Sequence, residues 1–267
     1  MRFWTALQFP LCQAALVEDG EIVRTIPCKP PGTPARRVVL VGDYEGMLVV
    51  GRRNSIEIWD REGGELIQSV YHPWIYSFHA CLQHGQRLLV ASATLDVVFS
   101  LDLEGEATWA WWAHRDGLAA APSFVDSKDW ASRQLTQEID HNTAHLNSLR
   151  WKSDKVLLAT LLRRGAVVAI DIGNGKQPVA RIERELADPD IHDFQYVGDR
   201  AVYGTRDAIV VGDCVHTGFS YVKRVVALES DQVLFSHENG VTALDGDGAR
   251  GIDWTLPRPF GFACLET

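Results

Sequence analysis

One sequence pattern recurs along the chain: an apolar run of strand formers, a short polar turn, a second such run and an acidic residue. VLLATLLRRGAVVAID and RLLVASATLDVVFSLD are the clearest copies. The copies end at Glu18, Asp60, Asp102, Asp171, Asp213 and Asp245. Intervals of 42 residues separate the first three of these markers, and Asp171 from Asp213. Because a repeat of about 40–45 residues with several short strands is typical of propeller blades, the sequence predicts an all-β, six-bladed β-propeller.

The same repeat predicts how the ring closes. The chain begins inside a blade, with FWTALQF, CQAALVE and EIVRTI as its second, third and fourth strands. The missing first strand is predicted to be GFACLE, from Gly261 to Glu266. Pairing the C-terminal strand with the N-terminal strands removes the open edges of that blade. Residues 1–267 are therefore expected to form a single propeller domain.

One repeat is longer than the others and contains an insertion. Asp102 and Asp171 are 69 residues apart, and the additional residues fall at about 114–143. Loops of this length within a compact ring commonly form lids or binding loops. The insertion is therefore predicted to be a lid, and its His141 is predicted to reach the mouth of the ring and contact a substrate.

Composition argues against several classes of partner. A net charge of −9 disfavours a nucleic-acid surface, which needs clustered Lys and Arg. No apolar run has the length of a transmembrane helix, so no membrane contact is predicted. The five cysteines are odd in number and lack zinc-site spacing, which is typical of reduced thiols in a cytoplasmic protein. The sequence does not indicate an oligomeric state.

Three histidines fall on predicted first strands, which surround the central channel of a propeller. His79, His145 and His192 precede their repeat markers by 23, 26 and 21 residues. Asn147 and Asp193 lie beside them in sequence and can orient or bind a substrate. A lone inward histidine is usually a hydrogen-bonded core residue, but three at matching positions favour a site. The central pocket is therefore predicted to bind a small-molecule substrate.

These residues also carry a family resemblance. The phrase HLNS, which begins at His145 and is followed by a strand, a basic turn and AVVAID, resembles the HxNS segment of arylsulfate sulfotransferases. Members of that family are six-bladed propellers. His79 and His192 occupy the places of the family's other funnel histidines, and Arg163 or Arg164 falls near its active-site arginine.

The resemblance implies an enzyme that transfers a sulfuryl group and uses no cofactor. His192 would be the nucleophile that accepts the sulfuryl group, while His79, His145 and the arginine would hold the sulfate oxygens. A neutral imidazole is a competent nucleophile, and a guanidinium matches a face of sulfate oxygens with two hydrogen bonds.

Other functions fit the same residues. His79, His145 and His192 could instead bind Fe, Cu or Zn in a metal-dependent oxygenase, lyase or cyclase. A fourth inner histidine, as in iron-dependent carotenoid-cleaving propellers, is not evident, because the equivalent region of the repeat that ends at Asp245 has Lys223 and Arg224. A calcium-dependent lactonase of the gluconolactonase type is a further option. A non-catalytic interaction scaffold is the remaining alternative.

Overall fold

The chain forms six four-stranded antiparallel sheets in a ring, which confirms the predicted six-bladed β-propeller. This computed structural model describes residues 1–7, 13–26, 40–52, 55–62, 64–121, 143–173, 177–186, 189–228, 232–245, 250–256 and 259–266. The closing blade contains β24 (Pro259–Glu266), β1 (Arg2–Leu7), β2 (Gln13–Glu18) and β3 (Glu21–Ile26). Blade 1 contains β4 (Leu40–Tyr44), β5 (Met47–Gly51), β6 (Ile56–Trp59) and β7 (Leu66–Val70).

The remaining four blades follow in chain order. Blade 2 contains β8 (Phe78–His84), β9 (Arg87–Ser92), β10 (Val97–Leu101) and β11 (Ala107–Trp112). Blade 3 contains β12 (Leu146–Ser153), β13 (Val156–Leu161), β14 (Ala166–Asp171) and β15 (Val179–Glu185). Blade 4 contains β16 (Asp193–Val197), β17 (Arg200–Gly204), β18 (Ala208–Val211) and β19 (Cys214–Thr217). Blade 5 contains β20 (Arg224–Ala227), β21 (Val233–His237), β22 (Gly240–Leu244) and β23 (Arg250–Thr255).

A short 3-10 helix, Ala113–Asp116, directly follows β11 and includes the start of the predicted insertion. Most of the insertion, including His141, lies outside the described residues, so its role as a lid stays a prediction. Within the described part of the chain, no helix has the length and apolar character needed to cross a membrane.

The ring closes through the C-terminal strand, as the repeat predicts. Strand β24 pairs antiparallel with β1, with Arg2 opposite Glu266 and Trp4 opposite Ala263. The strand begins at Pro259, two residues before the predicted start. Each first strand contacts the first strand of the next blade, in the order β24, β4, β8, β12, β16, β20 and back to β24. These six strands therefore surround the axis of the ring.

Burial within a blade depends on the position of the strand. The third strands of blades 2 and 5, β10 and β22, are buried along their whole length, because neighbouring blades cover both of their faces. The fourth strands, such as β3 and β15, lie at the rim and are largely exposed. Apolar clusters separate each pair of neighbouring blades. The continuous apolar runs of the repeat are therefore the blade interiors.

A tight turn shows why one glycine is required. Asp19 and Gly20, between β2 and β3, have φ angles of 47° and 89°, as in a type I′ hairpin turn. A Cβ at Gly20 would lie 2.5 Å from Cδ1 of Trp254 in blade 5. The backbone conformation and the close packing of the two blades therefore both select glycine here.

Removing the closing strand is expected to destabilise the whole ring. A chain that ends at Leu256 lacks β24 and leaves the β1 edge unpaired. We expect its melting temperature, measured by circular dichroism, to fall by at least about 10 °C. A peptide spanning residues 259–267 added in trans should raise it again. Deleting Thr267 alone is the control, and equal melting temperatures for the long and short chains would contradict closure by β24.

Candidate active site

The starts of the first strands converge at one end of the channel. His79 is the second residue of β8, whereas His145 and His192 directly precede β12 and β16. In blade 5, Lys223 directly precedes β20 and Arg224 is the first residue of that strand. We call these five residues the axial site. Four consecutive blades, from blade 2 to blade 5, therefore contribute to it.

Arg224 joins these strands directly. Its Nη1 donates to the carbonyl oxygens of Asn147 at 2.9 Å and His192 at 3.5 Å, and its Nη2 donates to the carbonyl oxygen of His79. The side chain of Asn147 adds a hydrogen bond of 2.8 Å from Nδ2 to the His192 carbonyl oxygen. Burial lowers the pKa of Arg224 to about 10, so the guanidinium remains charged at neutral pH. Arg224 therefore holds the three histidine-bearing strands together.

Asp193 supports this network from inside the ring. Its Oδ2 accepts from Nη2 of Arg150 at 2.5 Å and from the backbone N–H of Val225 at 3.0 Å, and its Oδ1 accepts from the N–H of Phe194. Asp193 has 0% exposed surface. Asp193, which the sequence predicted to contact a substrate, therefore lies in the interior. Its single negative charge balances only one of the two guanidinium groups, Arg150 and Arg224. The network retains a net positive charge.

His79 and His145 lie in direct contact. Their ring centroids are 5.0 Å apart in an edge-to-face arrangement, and both side chains are half-buried. Burial, then His145 and then Arg224 hold the pKa of His79 well below its ordinary value. Burial, followed by the charge of Arg163, lowers the pKa of His145 to about 4. Hydrogen bonding with Asn147 partly opposes both pKa shifts, but both imidazoles are neutral at pH 7.

The backbone at His145 is held by Asp96, which lies in the turn between β9 and β10. Oδ2 of Asp96 accepts from the N–H of Ala144 at 2.9 Å, and Oδ1 accepts from the N–H of Leu146 at 3.1 Å. His145, between these two donors, has a φ of 54°, which only a few per cent of residues other than glycine adopt. Asp96 therefore determines how His145 enters the channel. Sequence reasoning missed it, because its position in a hairpin turn resembles many solvent-exposed aspartates.

His192 is the most buried of the three predicted histidines, with 5% of its surface exposed. Its Nδ1 lies 3.1 Å from the carbonyl oxygen of Asp190, and its ring packs against Tyr221 at a centroid distance of 4.6 Å. Burial lowers the pKa of His192 to about 4, a shift that the Asp190 hydrogen bond partly opposes. Charge repulsion from His145 in its protonated form, from Arg224 and from Lys223 lowers the pKa of His192 further.

The two arginines predicted to hold a sulfate are exposed. Arg163 lies two residues after the end of β13, and its positive charge lowers the pKa of His145. Arg164 donates from Nη1 to the carbonyl oxygen of Gly117 at 3.4 Å. The buried cations of the axial site are instead Lys223 and Arg224. The sequence contained a signal for them, since they occupy the positions in blade 5 that match the histidines of the other repeats.

The predicted metal ligands do not form a metal-binding group. Among the residues that the structure describes, no group of three or more His, Cys, Asp or Glu side chains could hold a metal ion.

A cleft of about 170 Å³ lies at the outer side of blade 2, beside Trp111, Arg115, Asp116 and Pro178, away from the axial site. In this cleft Nε1 of Trp111 already donates to Asp116 at 2.7 Å.

Comparisons with known proteins identify the fold. No protein-family model and no curated protein matches the sequence. A protein of unknown function from Bacteroides caccae is similar in structure, with 10% identity over 98% of each chain and a TM-score of 0.67. A chain of a nidogen/laminin complex is 12% identical over 98% of this chain and 97% of its own, also with a TM-score of 0.67.

An enzyme is also among the similar structures. The catalytically inactive histidine-to-alanine variant of virginiamycin B lyase from Staphylococcus aureus, in complex with quinupristin, is 10% identical over 94% of this chain and 81% of its own. Its TM-score is 0.58. At such identities the likeness shows the fold alone. The propeller fold thus occurs both in an enzyme and in a chain of a protein complex, and the resemblance to arylsulfate sulfotransferases stays a prediction.

Replacing Arg224 is expected to loosen the ring at its axis. Arg224→Met removes the donors to His79, Asn147 and His192 and leaves Asp193 with one guanidinium fewer. Breaking a buried charge network of this kind costs about 3–5 kcal/mol, measurable by urea unfolding. Lys155→Met, at an exposed position, is the control and should change stability by less than about 0.5 kcal/mol. A loss below about 1 kcal/mol for Arg224→Met would argue against the role of Arg224.

Stability is expected to fall with decreasing pH because of the neutral histidines. The pKa of a histidine in the unfolded chain is about 6.5, whereas the pKa of His192 in the folded chain is about 4. Between these two pH values the unfolded chain binds more protons than the folded chain. The stability that neutral His192 contributes is therefore fully present above the pKa of the unfolded histidine and is lost as the pH falls towards the pKa of folded His192. It amounts to on the order of 2 kcal/mol between about pH 7 and about pH 5. His192→Gln should reduce this pH dependence in urea unfolding, and an unchanged dependence would contradict the buried neutral state.

Proposed function

We propose that the chain is a small-molecule-modifying enzyme that transfers a sulfuryl group through His192. The observation that carries this proposal is the state of the His192 ring. A carbonyl oxygen can only accept, so the contact with Asp190 places the proton on Nδ1 and leaves a lone pair on Nε2. With a pKa of about 4, the ring is neutral at pH 7. His192 is then an uncharged nucleophile beside the positive charges of Lys223 and Arg224.

The proposed reaction has two displacement steps. The Nε2 lone pair of His192 attacks the sulfur of a sulfate monoester, an N–S bond forms and the ester S–O bond breaks. The leaving oxygen keeps the electron pair of that bond and takes a proton from solvent. A hydroxyl acceptor then attacks the same sulfur and releases its proton, and the electron pair of the broken N–S bond returns to Nε2. Dividing a difficult transfer in this way is the general advantage of covalent catalysis.

The electrostatics of the axial site suit an anionic substrate. A sulfate monoester is negatively charged, and Arg224 keeps its positive charge because its pKa remains at about 10. His79 and His145 are neutral at pH 7 and retain one N–H each, so they can donate to oxyanion oxygens without repelling the attacking ring. Preorganised donors in a site with little water stabilise such charge more strongly than solvent does.

A histidine-dependent elimination is the second candidate. It is favoured by the fold likeness to virginiamycin B lyase, whose histidine-to-alanine variant is catalytically inactive. Elimination needs a general base, and a group with a pKa of about 4 is a weak base at neutral pH.

The remaining alternatives have less support. Binding of Fe, Cu or Zn by His79, His145 and His192 is not favoured by the arrangement of ligand side chains in the described residues. Metal analysis of protein purified without added metal tests it directly. In a non-catalytic scaffold, the axial site would serve only to hold the first strands of the blades together through Arg224.

Loss of the His192 imidazole is expected to abolish the transfer. The protein should release nitrophenol from 4-nitrophenyl sulfate when a phenol acceptor is present. His192→Gln should lower the rate at least about 1,000-fold, because glutamine cannot form the covalent intermediate. Peptide mass spectrometry of the quenched wild-type reaction should find one SO₃ group on His192.

His84→Gln, on the exposed end of β8, serves as the control and should keep the wild-type rate. Failure of the wild-type protein to transfer the group, or wild-type activity in His192→Gln, would refute the proposal. Formation of an unsaturated product from a lyase substrate would establish the second candidate.

A further inference from the structure

We propose that Lys223 binds the transferring oxyanion beside His192 and that Tyr221 positions these two side chains, an inference that rests on the proposed function. Lys223 directly precedes β20, as His192 directly precedes β16, so the two residues occupy equivalent positions in neighbouring blades. Arg163 and Arg164, the residues that the sequence suggests for this role, are exposed.

The three side chains form a continuous arrangement. The rings of Tyr221 and His192 are 4.6 Å apart, and Nζ of Lys223 lies 5.9 Å from the centroid of the Tyr221 ring, within the range of a cation–π contact. Lys223 and His192 are each 5% exposed, whereas Tyr221 is 43% exposed. Tyr221 therefore forms the outer side of the arrangement, with the ammonium and the nucleophile behind it.

The backbone places Tyr221 in an unusual conformation. Its φ is 57°, in the left-handed region that aromatic residues rarely adopt, and its N–H donates to the carbonyl oxygen of Arg206 at 2.6 Å. Ser77 and His145, at the starts of β8 and β12, have similar φ angles of 47° and 54°. Strained residues persist only where the surrounding structure holds them, and they concentrate at functional sites. Such a residue thus precedes three of the strands that surround the axis, by one position at β8 and β12 and by three positions at β20.

The positive charges of Lys223 and Arg224 suit an anionic ligand, and the proposed reaction makes this ligand a tetrahedral oxyanion, a sulfuryl or phosphoryl group on a monoester. Guanidinium donors of Arg224 already bond to main-chain oxygens of three residues. Lys223 differs from Arg224 because its ammonium is a compact charge with three donors on a flexible stem. Such a group can follow oxyanion oxygens as the sulfur or phosphorus moves from the ester oxygen to Nε2 of His192.

Anion binding tests Lys223 without any reaction. Titration calorimetry with inorganic sulfate and, separately, inorganic phosphate should detect binding to the wild-type protein. Lys223→Met should weaken this binding roughly tenfold or more, as expected for loss of a charge-assisted hydrogen bond. Lys223→Arg should restore it to within a few fold, and Lys155→Met, at an exposed lysine, should leave it unchanged.

The outcomes separate this inference from the proposed function. Anion binding that depends on Lys223 in a protein without transferase activity supports the Lys223 site and refutes the reaction. Group transfer with unchanged kcat/KM in Lys223→Met refutes the Lys223 site and leaves the reaction intact. A wild-type protein that binds neither anion, or a Lys223→Met variant that binds like the wild type, overturns the inference.

A measurement on the wild-type chain covers the case in which Lys223→Met does not fold. Saturating sulfate should slow acetylation of Lys223 by acetic anhydride, followed by peptide mass spectrometry, while acetylation of Lys155 serves as the internal reference. Equal rates with and without sulfate overturn the inference.

The positioning role of Tyr221 has its own readout. Tyr221→Ala should admit water to His192 and raise its pKa towards the ordinary value, as followed by NMR titration, whereas Tyr221→Phe should preserve the lowered pKa. An unchanged His192 pKa in Tyr221→Ala overturns the positioning role. Both variants retain the other groups around His192, which are Asp190, His79, His145, Lys223 and Arg224.

Discussion

The buried guanidinium of Arg224 is the interaction on which the axial site depends. A charged group removed from water is tolerated only where hydrogen bonds and opposite charge replace its hydration. Here main-chain oxygens of blades 2, 3 and 4 supply the hydrogen bonds, and Asp193 supplies opposite charge. The same contacts that stabilise the charge also fix the spacing of His79, Asn147 and His192. Stability at the axis and the geometry of the candidate active site therefore have one cause.

This arrangement gives the site its chemical character. Asp193 serves two guanidinium groups, so a positive charge remains in the interior after pairing. The three histidines are neutral at pH 7, since burial and neighbouring cations both disfavour the imidazolium form. Neutral imidazoles among fixed cations suit a nucleophile that attacks an anionic group. They suit an acid–base pair less well, because no carboxylate near His192 acts to raise its pKa among the described residues.

The repeat architecture explains how such a site can arise from distant parts of the chain. Each blade buries its middle strands against its neighbours and contributes only the start of its first strand to the axis. Substitutions at these starts change the chemistry without disturbing the apolar layers between blades. Asp96 shows the limit of this independence, because a turn of blade 2 holds the backbone around His145 of blade 3.

Much of the fold could be predicted from the sequence, because the repeat interval and the apolar runs are local properties that each blade expresses separately. The six copies of the repeat, their 42-residue interval and the incomplete blade at the N-terminus were sufficient to predict six blades and closure by the C-terminal strand. The same interval assigned His79, His145 and His192 to first strands. What it could not provide was the direction and depth of each side chain.

Tertiary structure alone decided which charges are buried together. In the sequence, Arg163 and Arg164 are as basic as Lys223 and Arg224, and Asp193 is as plausible a ligand as any aspartate. In the folded ring, Arg163 and Arg164 are exposed to solvent, whereas Lys223 and Arg224 are buried at the axis. Asp193 pairs with Arg150. The sequence by itself determined the blades, because the strands of one blade are close together in the sequence and form hydrogen bonds with one another. The chemistry of the centre depends on side chains from four blades, whose mutual distances exist only once the ring has closed.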